Sequence, residues 1–327
     1  MATDLSQRNG TARRADYEPA GTDGRSSLFA TVKRTFTEFS EDNMSDWAAA
    51  LTYYGLLSLF PALIALVSIV GLVGDPVTTT KAITDMVTKL GPSSAADTFA
   101  GPIKSITSNR GTAGVLFIVG LATALWSASA YVGAFMRAAN IIYETPEGRP
   151  LWKLRPLQVL VTLAMLVMLA LVAVALVLTG PVVTAVAGPL GIGSTAVSIW
   201  NIAKWPVLLL VAVTMFAVLF YAAPNVKLAG FKWVTPGALL AIVLWLIASA
   251  AFAFYAANFG SYDKTYGTLG GLVCLLVWMW ITNVALLLGM ELNSERERSR
   301  ELADGVPGAD RELQLDARSA PKRQKTT

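Results

Sequence analysis

Between Arg155 and Lys204 the chain carries no charged side chain. About 20 consecutive apolar residues suffice for one helix to cross a bilayer. Six charge-free runs of that order are present, at 49–73, 112–136, 156–179, 205–223, 233–257 and 267–290. In hydrocarbon every backbone N–H and C=O must be satisfied inside its own segment, so such runs are helices. A soluble helical protein with a buried core is the competing reading. It fails because the composition is 54% hydrophobic and 15% charged. The remaining residues cannot cover six uncharged helices with polar surface. The pattern therefore predicts an all-α polytopic membrane protein with six transmembrane helices.

Six crossings put both termini on one side. Lys and Arg accumulate on cytoplasmic segments. The N-terminal region, the 137–155 and 224–232 segments and the C-terminal tail together hold 20 of the 26. Both termini are therefore expected in the cytoplasm. The isoelectric point of 9.1 follows from this asymmetry, so it gives no reason to expect a nucleic-acid partner. The first 46 residues are polar, and the first apolar run starts too late and is too long for a secretory leader.

The same patterns divide the chain. Residues 1–25 mix Gly, Arg and Asp and read as a disordered cytoplasmic tail. In 26–45, Phe29, Val32, Phe36 and Phe39 fall near one helical face. That predicts an amphipathic helix, either on the inner membrane surface or packed on the bundle. The membrane domain is 46–291, with two short helices expected in the outer loop 74–111. In "TGPVVTAVAGPLGIGSTAVSIW" prolines and glycines break an apolar stretch, which suits an interfacial or re-entrant connection. Thr235 and Pro236 in "FKWVTPGALL" form a helix start, Thr as cap and Pro at the first turn. Residues 292–327 are charged and read as a largely disordered cytoplasmic tail whose first part continues the last helix.

Charged groups near membrane depth are candidates for function. Asp46 opens the first span, where a dipole-stabilising role competes. Arg137 follows Ser127, Ala130, Gly133 and Ala134, a face of small residues suited to close packing. An Arg continuing that face would point into the bundle and pair with Glu291 or Asp46, or hold a phosphate. Asn140, on the same stretch, and Asn283, deep in the last span, complete the polar candidates for a substrate path. For Asn283 an interhelical hydrogen bond is the competing role. Before the last span, Tyr262, Asp263, Lys264 and Tyr266 form either a tight outer turn or an outer gate. Gly133, together with Gly267 and Gly271 in a GxxxG pair, is expected to pack helices closely. The single cysteine, Cys274, reads as an apolar packing residue.

Four segments carry a resemblance: "AAALTYYGLLSLFPALIALVSIVG", "LWSASAYVGAFMRAANIIYE", "FKWVTPGALLAIVLWLIAS" and "YDKTYGTLGGLVCLLVWMWITNVALLLGMELN". In order and spacing over about residues 30–295, the chain resembles the YihY / virulence factor BrkB family of bacterial inner-membrane proteins. The resemblance implies a six-helix bundle with both ends inside the cell. It also implies links to serum resistance and envelope lipid handling. The family carries an old ribonuclease BN label as well. Metal-dependent nucleases of that name hold zinc with several His plus Asp, whereas this sequence has no histidine and one cysteine.

No GxSxG, GxxxxGK[ST] or HExxH motif occurs, so no enzyme activity, metal or other cofactor is expected. The expected function is the movement or handling of lipid or another amphipathic envelope molecule. A small-solute or ion carrier and a non-transporting envelope-assembly scaffold are the alternatives. Membrane lipids are the expected partners, with a homo-oligomer or envelope-assembly proteins as further ones.

Overall fold

A computed structural model describes residues 28–73, 110–177, 194–228, 230–258 and 268–320. Seven helices run through them: α1 (Leu28–Glu41), α2 (Met44–Val73), α3 (Arg110–Ile142), α4 (Leu151–Val177), α5 (Ser194–Ala222), α6 (Pro236–Asn258) and α7 (Thr268–Ala303). Helices α3 to α7 each contain a stretch long and apolar enough to cross a membrane, five in all among the described residues. Between 22% and 35% of each such stretch is buried. The remainder points outward as bare hydrocarbon, including Trp126, Leu160, Leu210, Ile247 and Phe254. A water-soluble monomer does not expose apolar surface on that scale, so lipid is the solvent of these faces.

Successive helices from α3 to α7 are neighbours in turn, and α7 closes the arrangement against α2 and α3. The tightest approach is between α6 and α7. A Cβ built on Gly237 would run into the carbonyl oxygen of Gly289, and one on Gly289 into that of Gly237. A Cβ on Gly133 of α3 would come 3.0 Å from Gln158 Nε2 of α4, the far end of a flexible side chain. Thr235 caps α6: its Oγ1 accepts the Ala238 N–H at 3.1 Å, with Pro236 at the first turn as expected.

Charged and polar residues shape the ends. The α1–α2 junction turns at Asn43, whose φ of 53° Asn tolerates better than most residues. Helix α3 ends in a Schellman motif. The Glu144 N–H reaches Ile141 O at 2.9 Å and the Thr145 N–H reaches Asn140 O at 2.9 Å, with Glu144 at φ 48° in the place usually taken by Gly. Helix α7 ends in the same motif with a glycine, Gly305, at φ 69°.

Two expectations need correction. Helix α5 begins at Ser194, not 205. Lys204 is not a helix boundary: it is buried within α5, 3.4 Å from Asn201 Oδ1 and stacked on the Trp205 ring. The segment 292–320 is ordered. Helix α7 continues to Ala303, and residues 304–320 fold back onto the α3–α4 and α5–α6 loops through an antiparallel bridge between Val226 and Ala317. Its charges bond to backbone and side-chain partners there, which composition alone does not reveal. Helix α1 faces the bundle with its polar side, apart from Phe39, which packs on the core. Thr31 and Thr35 are buried toward the bundle, while Phe29, Val32 and Phe36 are exposed. The outer loop 74–111 falls outside the described residues up to Arg110, as does 178–193.

Candidate functional site

Helix α1, the 143–150 loop, the 223–235 loop and the C-terminal segment meet at one end of the bundle, around the last turns of α7. An alternating ion chain joins them. Arg34 Nε donates to Glu295 Oε2 at 2.8 Å, and Arg34 Nη2 donates to Ser299 Oγ at 2.8 Å. Arg298 Nε lies 3.3 Å from Glu295 Oε1, and its Nη2 donates to Glu144 Oε1 at 2.6 Å. Glu144 Oε2 then accepts the Leu313 N–H at 2.8 Å. Glu295 is 1% exposed. Its carboxylate is stable there because each oxygen faces a guanidinium. Burial raises the Glu38 carboxyl above its ordinary range. Arg298 opposes that shift, and Glu295, Glu41 and Glu144 add to it.

A second network clasps the two loops. Asn140 Oδ1 accepts the Asn225 N–H at 2.8 Å, and its Nδ2 donates to Glu147 Oε2 at 2.9 Å. Arg149 forks onto Glu147, Nε to Oε1 at 2.8 Å and Nη2 to Oε2 at 2.7 Å. Its Nη2 also reaches Ala223 O at 3.0 Å. Arg318 Nε donates to Val226 O at 2.8 Å and Nη2 to Tyr221 O at 2.7 Å, with the guanidinium 4.7 Å above the Tyr221 ring. The two arginines thereby satisfy carbonyls at the C-terminal end of α5, where cations are favoured. Burial pushes the Glu147 carboxyl up, but the hydrogen bonds from Arg149 and Asn140 outweigh it and hold the carboxyl below its ordinary value. Burial lowers the Arg318 guanidinium.

Beside these networks lies a cavity of about 250 Å³ between the end of α5, residues 228–236 and α7. Ala217, Phe220, Leu228 and Val234 give it apolar walls, and Lys232, Arg296 and Arg300 bring positive charge. Arg300 is held by Glu297, Nη1 to Oε1 at 2.5 Å. Asn293, also lining the cavity, is fixed: its Oδ1 accepts the Gly237 N–H at 2.9 Å and its Nδ2 donates to Thr235 Oγ1 at 2.9 Å. Tyr221, which lines the cavity, starts an edge-to-face series with Phe231 and Trp233, with centroids 5.4 and 5.5 Å apart. Phe231, Trp233 and Val234 are exposed. Amphipathic aromatic rings of this kind concentrate where hydrocarbon meets water.

The structure separates the residues singled out from sequence. Arg137 does not point into the bundle. It is exposed on α3, and makes no ion pair with Glu291 or Asp46. Position 137 lies on the outward stripe with exposed Ile141, four residues on, while Ala138, Ala139 and Asn140 are buried. Asp46 is exposed in the first turn of α2. Asn140 is buried as the loop clasp described above. Asn283 is buried and joins three helices: its Oδ1 accepts the Tyr131 hydroxyl at 2.8 Å, and its Nδ2 donates to Thr52 Oγ1 at 3.1 Å. Glu291 is 1% exposed, and its Oε2 has no hydrogen-bond partner among the described residues. Tyr262, Asp263, Lys264, Tyr266 and Gly267 lie outside the described residues. Gly271 stands in the first turn of α7. Sequence reading missed Lys232, Arg296 and Glu144. "FKW" before a helix start, with a cation between two aromatic rings, was the available signal for the first.

These features define a helical membrane protein with a charged, clasped end and an adjoining amphipathic cavity. A family model described as Virulence factor BrkB matches residues 35–312, and the chain belongs to that family. Among its relatives, ribonuclease-like protein YfkH of Bacillus subtilis (strain 168) is 31% identical over 277 residues, spanning 84% of this chain and 98% of its own length. A UPF0761 membrane protein of Xanthomonas axonopodis pv. citri (strain 306) is 37% identical over 83 residues, which is 25% of this chain and 20% of that protein. Another, from Vibrio vulnificus (strain YJ016), is 34% identical over 107 residues, 31% of this chain and 34% of that protein. No solved structure matches the chain.

Proposed function

We propose that the chain crosses a bacterial inner membrane six times, with both termini cytoplasmic, and handles lipid or another amphipathic envelope molecule there without enzymatic chemistry. Helix α2, 30 residues long and with no charge after Asp46, supplies the crossing beyond the five of α3 to α7. The gathering of α1 and the C-terminal segment at one end of the bundle supports termini on one side. The excess of Lys and Arg in those segments supports the cytoplasmic side.

The single observation that carries the reading is the cavity between α5 and α7. It combines apolar walls with cations, which is the composition an amphipathic molecule needs. A channel for small ions calls instead for a continuous polar lining.

The test is reconstitution of the purified chain into liposomes carrying labelled phospholipid. Movement of label between leaflets, faster than in protein-free liposomes, is expected, and Ala217→Trp should slow it by filling the cavity. Wild-type liposomes no faster than protein-free ones would sink the reading.

A further inference from the structure

We propose that the cavity between α5 and α7 binds a phosphate-bearing anionic headgroup, with Lys232 and Arg296 as its principal ligands. This rests on the reading of the chain as a lipid-handling membrane protein and adds the chemistry of what the cavity takes.

The charge distribution is the first argument. At this end of the bundle many cations are engaged, and, Arg318 apart, those without a carboxylate partner outside the cavity, Lys33, Arg137, Lys153 and Arg155, are exposed on helix surfaces. Arg34, Arg149, Arg298, Arg300 and Lys227 each have a carboxylate partner, and Arg318 holds two carbonyls. Lys232 and Arg296 make no ion pair with a described residue, and both line the cavity. With Arg300 neutralised by Glu297, the lining retains two positive charges from two different elements. A guanidinium fork and a mobile ammonium approaching from separate sides suit the several oxygens of a tetrahedral phosphate.

The walls and the volume narrow the ligand further. Ala217, Phe220, Leu228 and Val234 have no use to a fully hydrated anion, but they shelter the glycerol and first methylenes of a lipid. At about 250 Å³ the cavity is smaller than the roughly 300–1,000 Å³ of sites that enclose a drug-sized molecule. It therefore takes a headgroup and leaves acyl chains outside. Exposed Phe231 and Trp233, on either side of the lining residue Lys232 in sequence, suit a position at the hydrocarbon boundary. Asn293 and Thr235 fix the geometry of the α6–α7 wall of the cavity.

The experiment measures binding without transport. Full-length chain in nanodiscs of zwitterionic lipid is titrated calorimetrically with dihexanoyl phosphatidic acid, dihexanoyl phosphatidylcholine and inorganic phosphate. Phosphatidic acid is expected to bind at least about tenfold tighter than either of the others. Lys232→Gln and Arg296→Gln are each expected to weaken it about tenfold, the effect of losing one charge-assisted contact. Arg311→Gln, an exposed cation outside the cavity, should bind like wild type. Lys232 is exposed and holds no described partner, so its variant folds and keeps the test decisive. Phosphatidylcholine binding equal to phosphatidic acid, or variants equal to wild type, would overturn the site. Inorganic phosphate binding as tightly as phosphatidic acid would overturn the headgroup assignment in favour of a free anion. A chain that binds phosphatidic acid selectively yet moves no label keeps the site and loses the transport reading.

Discussion

Arg298 Nη2 stands 2.6 Å from Glu144 Oε1, joining the last helix to a residue held in a left-handed backbone at φ 48°. A glycine at position 144 would relieve that conformation by on the order of 1 kcal/mol. Glutamate is there because its two oxygens serve Arg298 and the Leu313 N–H together. Leaving a buried charge without its partner costs about 3–5 kcal/mol. Arg298 keeps Glu295 at 3.3 Å, so Glu144→Gly should destabilise the protein by about 1–3 kcal/mol despite the easier backbone. Chemical denaturation in detergent measures it, and release of the 304–320 segment should appear as new proteolysis at Arg311 and Arg318. A neutral or stabilising result would mean the ion chain contributes nothing.

The α6–α7 contact gives a second prediction. Gly237 and Gly289 place each other's carbonyls where a Cβ would stand, so neither clash can be relieved by a side-chain rotation. Gly289→Ala must push backbone from backbone, and overpacking of that kind costs about 1–3 kcal/mol. Gly55→Ala is the contrast. The nearest atom to its new methyl is Met279 Cε, the far end of a flexible chain. Its cost should be smaller in the same thermal melts. Equal effects would show that the α6–α7 approach is not the tight one.

The helical membrane architecture was legible because it depends on long runs without charge, and hydrocarbon permits only one backbone solution for them. The Thr235–Pro236 helix start was legible for a similarly local reason. The site was not. Arg137 reads as inward-facing from the small residues before it, but at this end of α3 the outward stripe runs through Arg137 and Ile141, and which stripe faces out is set by neighbouring helices. The C-terminal segment reads as disordered because its composition is charged. Its order comes from partners far away in sequence, Asn225, Glu144 and the carbonyls ending α5, and no local pattern encodes those. The partners of buried Asn283 lie on other helices and had no local signature, and Glu291, expected near the interface, is buried with its Oε2 unpartnered among the described residues.

Acidification should loosen the loop clasp through Glu147. Its carboxyl is held below the ordinary value by Arg149 and Asn140, so its contribution is present above the unfolded pKa near 4.5 and is lost as pH falls through the lower folded value. Glu147→Gln lacks that contribution at every pH. The gap in melting temperature between wild type and Glu147→Gln should therefore be widest near pH 7 and narrow toward pH 3. A gap that stays constant over that range would remove Glu147 as the titrating group.

Asn283 distinguishes a structural role from a place on a substrate path. Its amide oxygen takes the Tyr131 hydroxyl, and its amide nitrogen serves Thr52. A hydrogen bond between membrane helices is worth about 0.6 kcal/mol on average and rarely above about 1.7. Asn283→Leu breaks two and should cost about 1–3 kcal/mol. Tyr131→Phe breaks one and should cost about 0.6. The two losses should overlap in the double variant, because both remove the same Tyr131–Asn283 bond. Lipid movement in liposomes should fall only as far as the folded fraction does. If Asn283→Leu abolishes movement while the melting temperature is unchanged, the side chain belongs to the transport route and not to the frame that holds α2, α3 and α7 together.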